Sequence, residues 1–278
     1  MKYRFALVAA VFFATAALAP AAPITAEETD MAAEAGATHE KAIDPAKIPQ
    51  SVVNAVNSPD RPAADRQLDP GRKPQQMLAF FGIEPGMKVA DLWASGGYTT
   101  ELLARAVAPS GKVYSQNGEM PAGDAWKGRL KEPGMGGSIV ELLKPFTNPG
   151  DILPVPAGSL DAVICNINYH DLIGNGYNTA KINAAVLNSL KLGGIYGIID
   201  NSAAPGSGAR DVSTLHRIDE AYEVNQIKSA GFVLVAASDA LRNPKDDRSW
   251  LVFQHRGEQD RFMLKFIKPQ SAGGAANK

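Results

Sequence analysis

Residues 90–99 read ADLWASGGYT, and the fold of the whole chain turns on that corner. The segment before it, MKVADLW, is a short apolar run following a turn, the mark of a buried strand. The segment after it, TTELLARAV, sets Leu102, Leu103, Ala106 and Val107 on one helical face. Between strand and helix lie Gly96 and Gly97, which allow a tight turn and close approach of a ligand to the backbone. The N-terminus of the following helix favours an anion. Trp93 and Ser95 stand where such turns often carry glycine, so the corner reads as a ligand-binding turn in altered form. Its residues do not fit G-x-G-x-x-G, which argues against a nicotinamide-dependent reductase.

Working outward, the same alternation continues. A helix over PQQMLAFF is stopped by Gly82 and Pro85. Strands are expected at KVYSQN, SIVELL, LDAVICNIN, IYGIID, FVLVAAS and DRFMLKFIKP. Helices are expected over TAKINAAVLNSLKLGG, ending at Gly193 and Gly194, and from Asp219 to Ala230, closed by Gly231. Apolar strands alternating with amphipathic helices predict an α/β fold: three layers, doubly wound, on a mostly parallel sheet. The alternating character of the final strand predicts an antiparallel addition.

The chain has 278 residues, 45% hydrophobic and 21% charged, with net charge −1. That is enough apolar material for one sizeable core. No basic patch points to nucleic acid. Lys2 and Arg4 precede the uncharged run FALVAAVFFATAALA and a cluster of small residues, the pattern of a secretory signal. The run is shorter than the ~20 residues of a spanning helix. We therefore expect a signal peptide over 1–26, an N-terminal arm or linker over 27–72, the folded domain over 73–269 and a disordered tail over 270–278. The expected location is the periplasm or the exterior, with no membrane span after cleavage. Cys165 is the only cysteine, so there is no internal disulfide, and its apolar surroundings predict an inert thiol.

VADLWASGGYTTELLA resembles motif I of the class I S-adenosylmethionine-dependent methyltransferases. GKVYSQN resembles that family's second strand, LPVPAGSLDAVICNINYHDL the approach to its fourth, and LNSLKLGGIYGIID its fifth-strand turn. The combination of GGYTTELLA, NYHD, TLHRID, AGF and LRNPKDD is similar to a group of predicted bacterial methyltransferases that carry signal peptides. The resemblance covers roughly residues 73–269. It implies a Rossmann-like methyltransferase fold with S-adenosylmethionine as cofactor. Asp91 would then lie near the methionine amino group, and Trp93, Ser95, Gly96, Gly97 and Tyr98 near the amino acid and ribose. Asn117, or Glu119 in its place, would take the ribose position, where the family usually has an acid, and Asn166 would complete the cofactor set.

NINYHDL places Asn166, Asn168, Tyr169, His170 and Asp171 at the carboxyl edge of the sheet. His170 can accept a proton from a hydroxyl or amine near neutral pH, and Asp171 is the candidate to orient it. His216 and the pair Asp200–Asn201 belong to the same edge, whereas Asp246–Asp247 reads as a solvated turn. His39, His170, His216 and His255 show no metal-ligand spacing, so no metal is expected. The expected function is methyl transfer to a small-molecule acceptor, chosen by loops such as 118–137 and 174–178. The alternative is an inactive methyltransferase-like fold that binds a small ligand in the same crevice. The sequence leaves the oligomeric state open.

Overall fold

The computed structural model describes residues 37–118, 124–131, 135 and 138–270. The expected signal segment, Glu119 and most of the tail lie outside the described residues. In chain order the elements are β1 (Thr38–Glu40), α1 (Gln50–Val56), α2 (Ala63–Arg66), α3 (Asp69–Arg72), α4 (Pro74–Phe81), β2 (Lys88–Leu92) and α5 (Tyr98–Val107). Then follow β3 (Lys112–Gln116), α6 (Asp124–Arg129), β4 (Ile139–Leu142), α7 (Pro149–Ile152), β5 (Leu160–Asn166), α8 (Tyr169–Gly174) and α9 (Thr179–Ser189). The chain continues through β6 (Leu190–Asn201), α10 (Glu220–Ser229), β7 (Val233–Ser238) and β8 (Arg261–Ile267).

All eight strands form one sheet in the order β1-β7-β8-β6-β5-β2-β3-β4. Every pairing is parallel except the two made by β8, which runs antiparallel to β6 and β7. This is the doubly wound α/β architecture that the apolar pattern predicts, including its antiparallel last strand. From β2 the chain steps outward through β3 to β4, then returns to β5 on the other side of β2. The reversal opens a crevice at the carboxyl ends of β2 and β5, where ligands of such sheets bind.

Core side chains cover both faces. One side packs Leu160, Val163, Tyr196, Ile198 and Phe262 under α9 and α10; the other packs Val89, Ile164 and Met263 under α1, α4 and α5. No helix among the described residues is long and apolar enough to cross a membrane.

Two segments differ from the sequence-based reading. Residues 38–72, expected as an arm, add β1 to the sheet edge beside β7 and bury Val52, Ala55 and Val56 of α1. Their apolar positions are too few for a clear period, and only tertiary contact with α4 and α5 makes them core. Helix α9 stops at Ser189, short of Gly193. Leu190 already pairs with Leu160, and the chain bends at Gly193 (φ 74°) inside β6.

Candidate active site

The turn after β2 keeps a glycine-like backbone with non-glycine residues. Trp93 and Ser95 lie in the left-handed region at φ 60° and 50°. Such conformations cost of order 1–3 kcal/mol each and persist where the surroundings hold them. Ile167 (φ 63°) and His216 (φ 52°), on two other loops of the crevice, share that conformation. Gly97 must be glycine twice over. Its φ is 84°, and a Cβ there would meet the Trp126 ring of α6 at 2.5 Å.

The sequence-predicted cofactor residues divide into two groups. Ser95, Gly96, Tyr98 and Asn166 line an open crevice of about 720 Å³, within the size range of small-molecule sites. Asp91, Trp93, Gly97 and Asn117 stand behind it. Asp91 is buried and accepts from Thr100 Oγ1 (2.6 Å) and the Thr100 backbone N–H, fastening the first turn of α5. Burial raises its pKa to about 7, against the lowering effect of those hydrogen bonds. The Trp93 ring turns inward, stacked on Phe146 at 5.3 Å and edge-on to Tyr177 at 5.7 Å, so it is core and not a ligand platform. Asn117, at the end of β3, has a buried Nδ2 with no hydrogen-bond partner. An orphaned donor at that position fits a ligand hydroxyl or carbonyl. At Gly96 an added Cβ would enter open space.

Tyr98 donates to Asp69 (2.7 Å) and lies under the Arg72 guanidinium at 4.4 Å, tying α3 to the turn. Burial and Asp69 push its pKa above the usual phenol range. Asn166 donates to Thr99 Oγ1 (3.0 Å), and Asn168 to the Trp93 carbonyl (2.9 Å), locking the β5 loop to the β2 turn. The far wall carries Arg72, Arg256 and Arg261. The Arg261 Nε is buried without a partner, while its Nη2 donates to the Gly71 carbonyl.

His170 and Asp171 begin α8 at the mouth of this crevice. The expectation that Asp171 orients His170 needs correction. That task falls to Asp200 at the end of β6, buried, with Oδ1 2.6 Å from His170 Nδ1 and Oδ2 accepting the His170 backbone N–H at 2.8 Å. Burial pulls the His170 pKa down, but Asp200 and then Asp171 outweigh it and leave it raised. Asp171 Oδ1 instead faces His170 Nε2 at 3.3 Å and His216 Nδ1 at 3.1 Å. Sequence reasoning gave Asp200 and His216 the right edge without these partners, because contacts across 30 and 45 residues leave no spacing to read.

Asp246 is not solvated. It is buried in a bidentate pair with Arg217, at 2.8 and 3.1 Å. Cys165 is fully buried with its pKa raised by desolvation, as an inert thiol should be.

Strand order, crevice position and turn together define the Rossmann-like fold of the class I S-adenosylmethionine-dependent methyltransferases. No family model matches the chain. Among solved structures, a SAM-dependent methyltransferase from Aquifex aeolicus is similar at 18% identity and TM-score 0.54, over 81% of this chain and 98% of that one. An arsenic(III) S-adenosylmethionine methyltransferase from Chlamydomonas reinhardtii is similar at 17% identity and TM-score 0.53, over 81% and 75%. The [4+2]-cyclase SpnF is similar at 14% identity and TM-score 0.53, over 79% and 92%. A cyclase among these likenesses shows that the fold alone does not fix the reaction.

Proposed function

We propose that the chain is an exported S-adenosylmethionine-dependent methyltransferase acting on a small-molecule acceptor. The observation that carries this reading is the strained turn 93–97 with the orphaned Asn117 amide behind it, facing the His170–Asp200 pair across one crevice. The residues fit the cofactor: Ser95, Gly96 and Tyr98 would border its amino-acid end and Asn166 would close the inner wall, with the unpartnered Asn117 amide buried behind the turn on the ribose side. When bound, the cofactor supplies an electrophilic methyl group.

The protein's share of the work is alignment and proton handling. Asn168 and Asn166 fix the β5 loop against the turn, so that acceptor and cofactor would meet at a set distance. Asp200 holds the His170 ring, whose Nε2, beside Asp171, would take the acceptor's proton. The basic wall of Arg72 and Arg261 supports an acceptor that carries an anionic group. One observation favours the second reading, a binding protein without catalysis: Trp126 lies directly on Gly97 and covers part of the turn.

The test is calorimetric titration of the mature protein, recovered from the periplasmic fraction, with S-adenosylmethionine and S-adenosylhomocysteine. We expect micromolar binding of both, weakened at least tenfold in Gly96→Asp, which places a carboxylate in the open space without touching the fold. Absence of binding at millimolar ligand overturns the cofactor assignment. Absence of the protein from both the periplasm and the medium overturns export.

A further inference from the structure

We infer that His170, Asp171 and His216 form a binding site for a divalent transition-metal ion at the mouth of the crevice. One ligand atom from each residue converges on the same point, all within 4.8 Å of one another. Two of the separations, 3.3 and 3.1 Å, match the roughly 3.3 Å between neighbouring donors of a tetrahedral ion with bonds of about 2.0–2.1 Å. Two imidazoles and one carboxylate are a donor set that suits zinc or ferrous iron and leaves coordination positions open.

The hydrogen bonding argues for a cation between these atoms. The Asp200 carboxylate accepts the backbone N–H groups of His170 and Asn201, and His170 Nδ1 lies 2.6 Å from it. His170 Nε2 is thereby aimed at Asp171 Oδ1, 3.3 Å away, where a metal ion can take the place of the proton that otherwise lies between the two atoms. Asp200 thereby acts as the outer carboxylate of a carboxylate–histidine–metal arrangement, fixing tautomer and ring orientation. The charges balance as well, since a divalent ion would offset Asp171 and Asp200 in a half-buried site. The His216 ring is placed by Phe253, 4.8 Å away, and stands edge-on to His170 at 5.4 Å. Its left-handed backbone is held by the Asn201 side chain, which donates to the His216 carbonyl.

The open positions of such an ion face the crevice. On the methyl-transfer reading, an acceptor oxygen or nitrogen bound there would be held and made more acidic, taking over the work of a free imidazole. The metal site itself does not depend on that reading.

The experiment is calorimetric titration of chelator-treated, dialysed protein with zinc alone, in the absence of any cofactor. One equivalent is expected to bind. His216→Ala and Asp171→Ala should each weaken binding at least 100-fold, and Asp200→Asn about 10–100-fold through loss of orientation. His39→Ala, on the far edge strand, should leave it unchanged. Circular dichroism confirms that each variant is folded. No binding at millimolar zinc overturns the site, as does zinc binding that survives both His216→Ala and Asp171→Ala. Because no cofactor is present, failure here leaves the methyltransferase assignment to its own titration.

Discussion

At the scale of single residues, Asp91 shows how a motif position and its physical task separate. The acid at the end of β2 is what the methyltransferase motif leads one to expect, yet its carboxyl faces Thr100 and not the crevice. Burial raises its pKa from 3.8 to about 7, so the folded protein holds the proton more tightly than the unfolded chain. Its stabilising contribution is therefore complete below about pH 4 and is lost as pH rises to about 7. Asp91→Asn removes this dependence. We expect the stability difference between wild type and variant, from urea unfolding at pH 4 to 8, to shift against wild type by at most roughly 4 kcal/mol. A difference that is flat with pH would show that Asp91 is charged throughout. At Trp93 and Ser95, the residue types obscure a turn that their backbone angles keep. At Trp93 the left-handed conformation goes with packing of the ring against Phe146 and Tyr177, contacts from distant segments that no local pattern announces.

Among elements, β2, β5, β7 and the second half of β6 were legible as compact apolar runs between turn residues, β3 (KVYSQ) and β4 (IVEL) more by their place after a turn, and β8 by its alternation, while the start of β6 was read as helix. Helix α10 was legible at both ends, with Asp219 capping the Ala221 N–H and Gly231 following at φ 102°. Strand β1 was not legible: THE is polar and three residues long, and only the open edge of β7 gives it a reason to be extended. Its following segment is fastened by one side chain. Gln76 of α4 accepts from the Ile43 N–H at 2.7 Å and donates to the Ile43 carbonyl at 2.8 Å, as a strand would. Gln76→Ala removes both bonds and should cost roughly 1–2 kcal/mol. Hydrogen exchange should rise across residues 38–48 and stay unchanged in β5 and β6. Unchanged protection at residues 38–48 would mean that the β7 edge alone holds β1.

For the molecule as a whole, the crevice is assembled from five distant stretches, with Arg129 of α6 beside them: residues 65–72, the β2 turn, the end of β5 with the start of α8, the end of β6 with residues 202–218, and residues 243–261. The last two are joined by buried charge. Arg217 has no solvent exposure, pairs with Asp246, donates to the carbonyls of Ser202 (3.0 Å) and Trp250 (3.1 Å), and lies over the Trp250 ring at 4.4 Å. Asp246 also accepts the backbone N–H groups of Arg248 (2.7 Å) and Asp260 (2.6 Å). Removing one partner strands the other charge in the interior, which typically costs about 3–5 kcal/mol. Arg217→Met should therefore destabilise by that amount, and Asp246→Asn by less, because asparagine still accepts one backbone donor. In a double-mutant cycle read by urea unfolding, the pair should show a coupling of about 1–3 kcal/mol. Since Arg217 directly follows His216, the same Arg217→Met protein should also bind zinc more weakly than wild type while still folded. Full coupling with unaltered zinc affinity would mean that the buried pair supports the fold but that His216 is held in place by Asn201 and Phe253 alone.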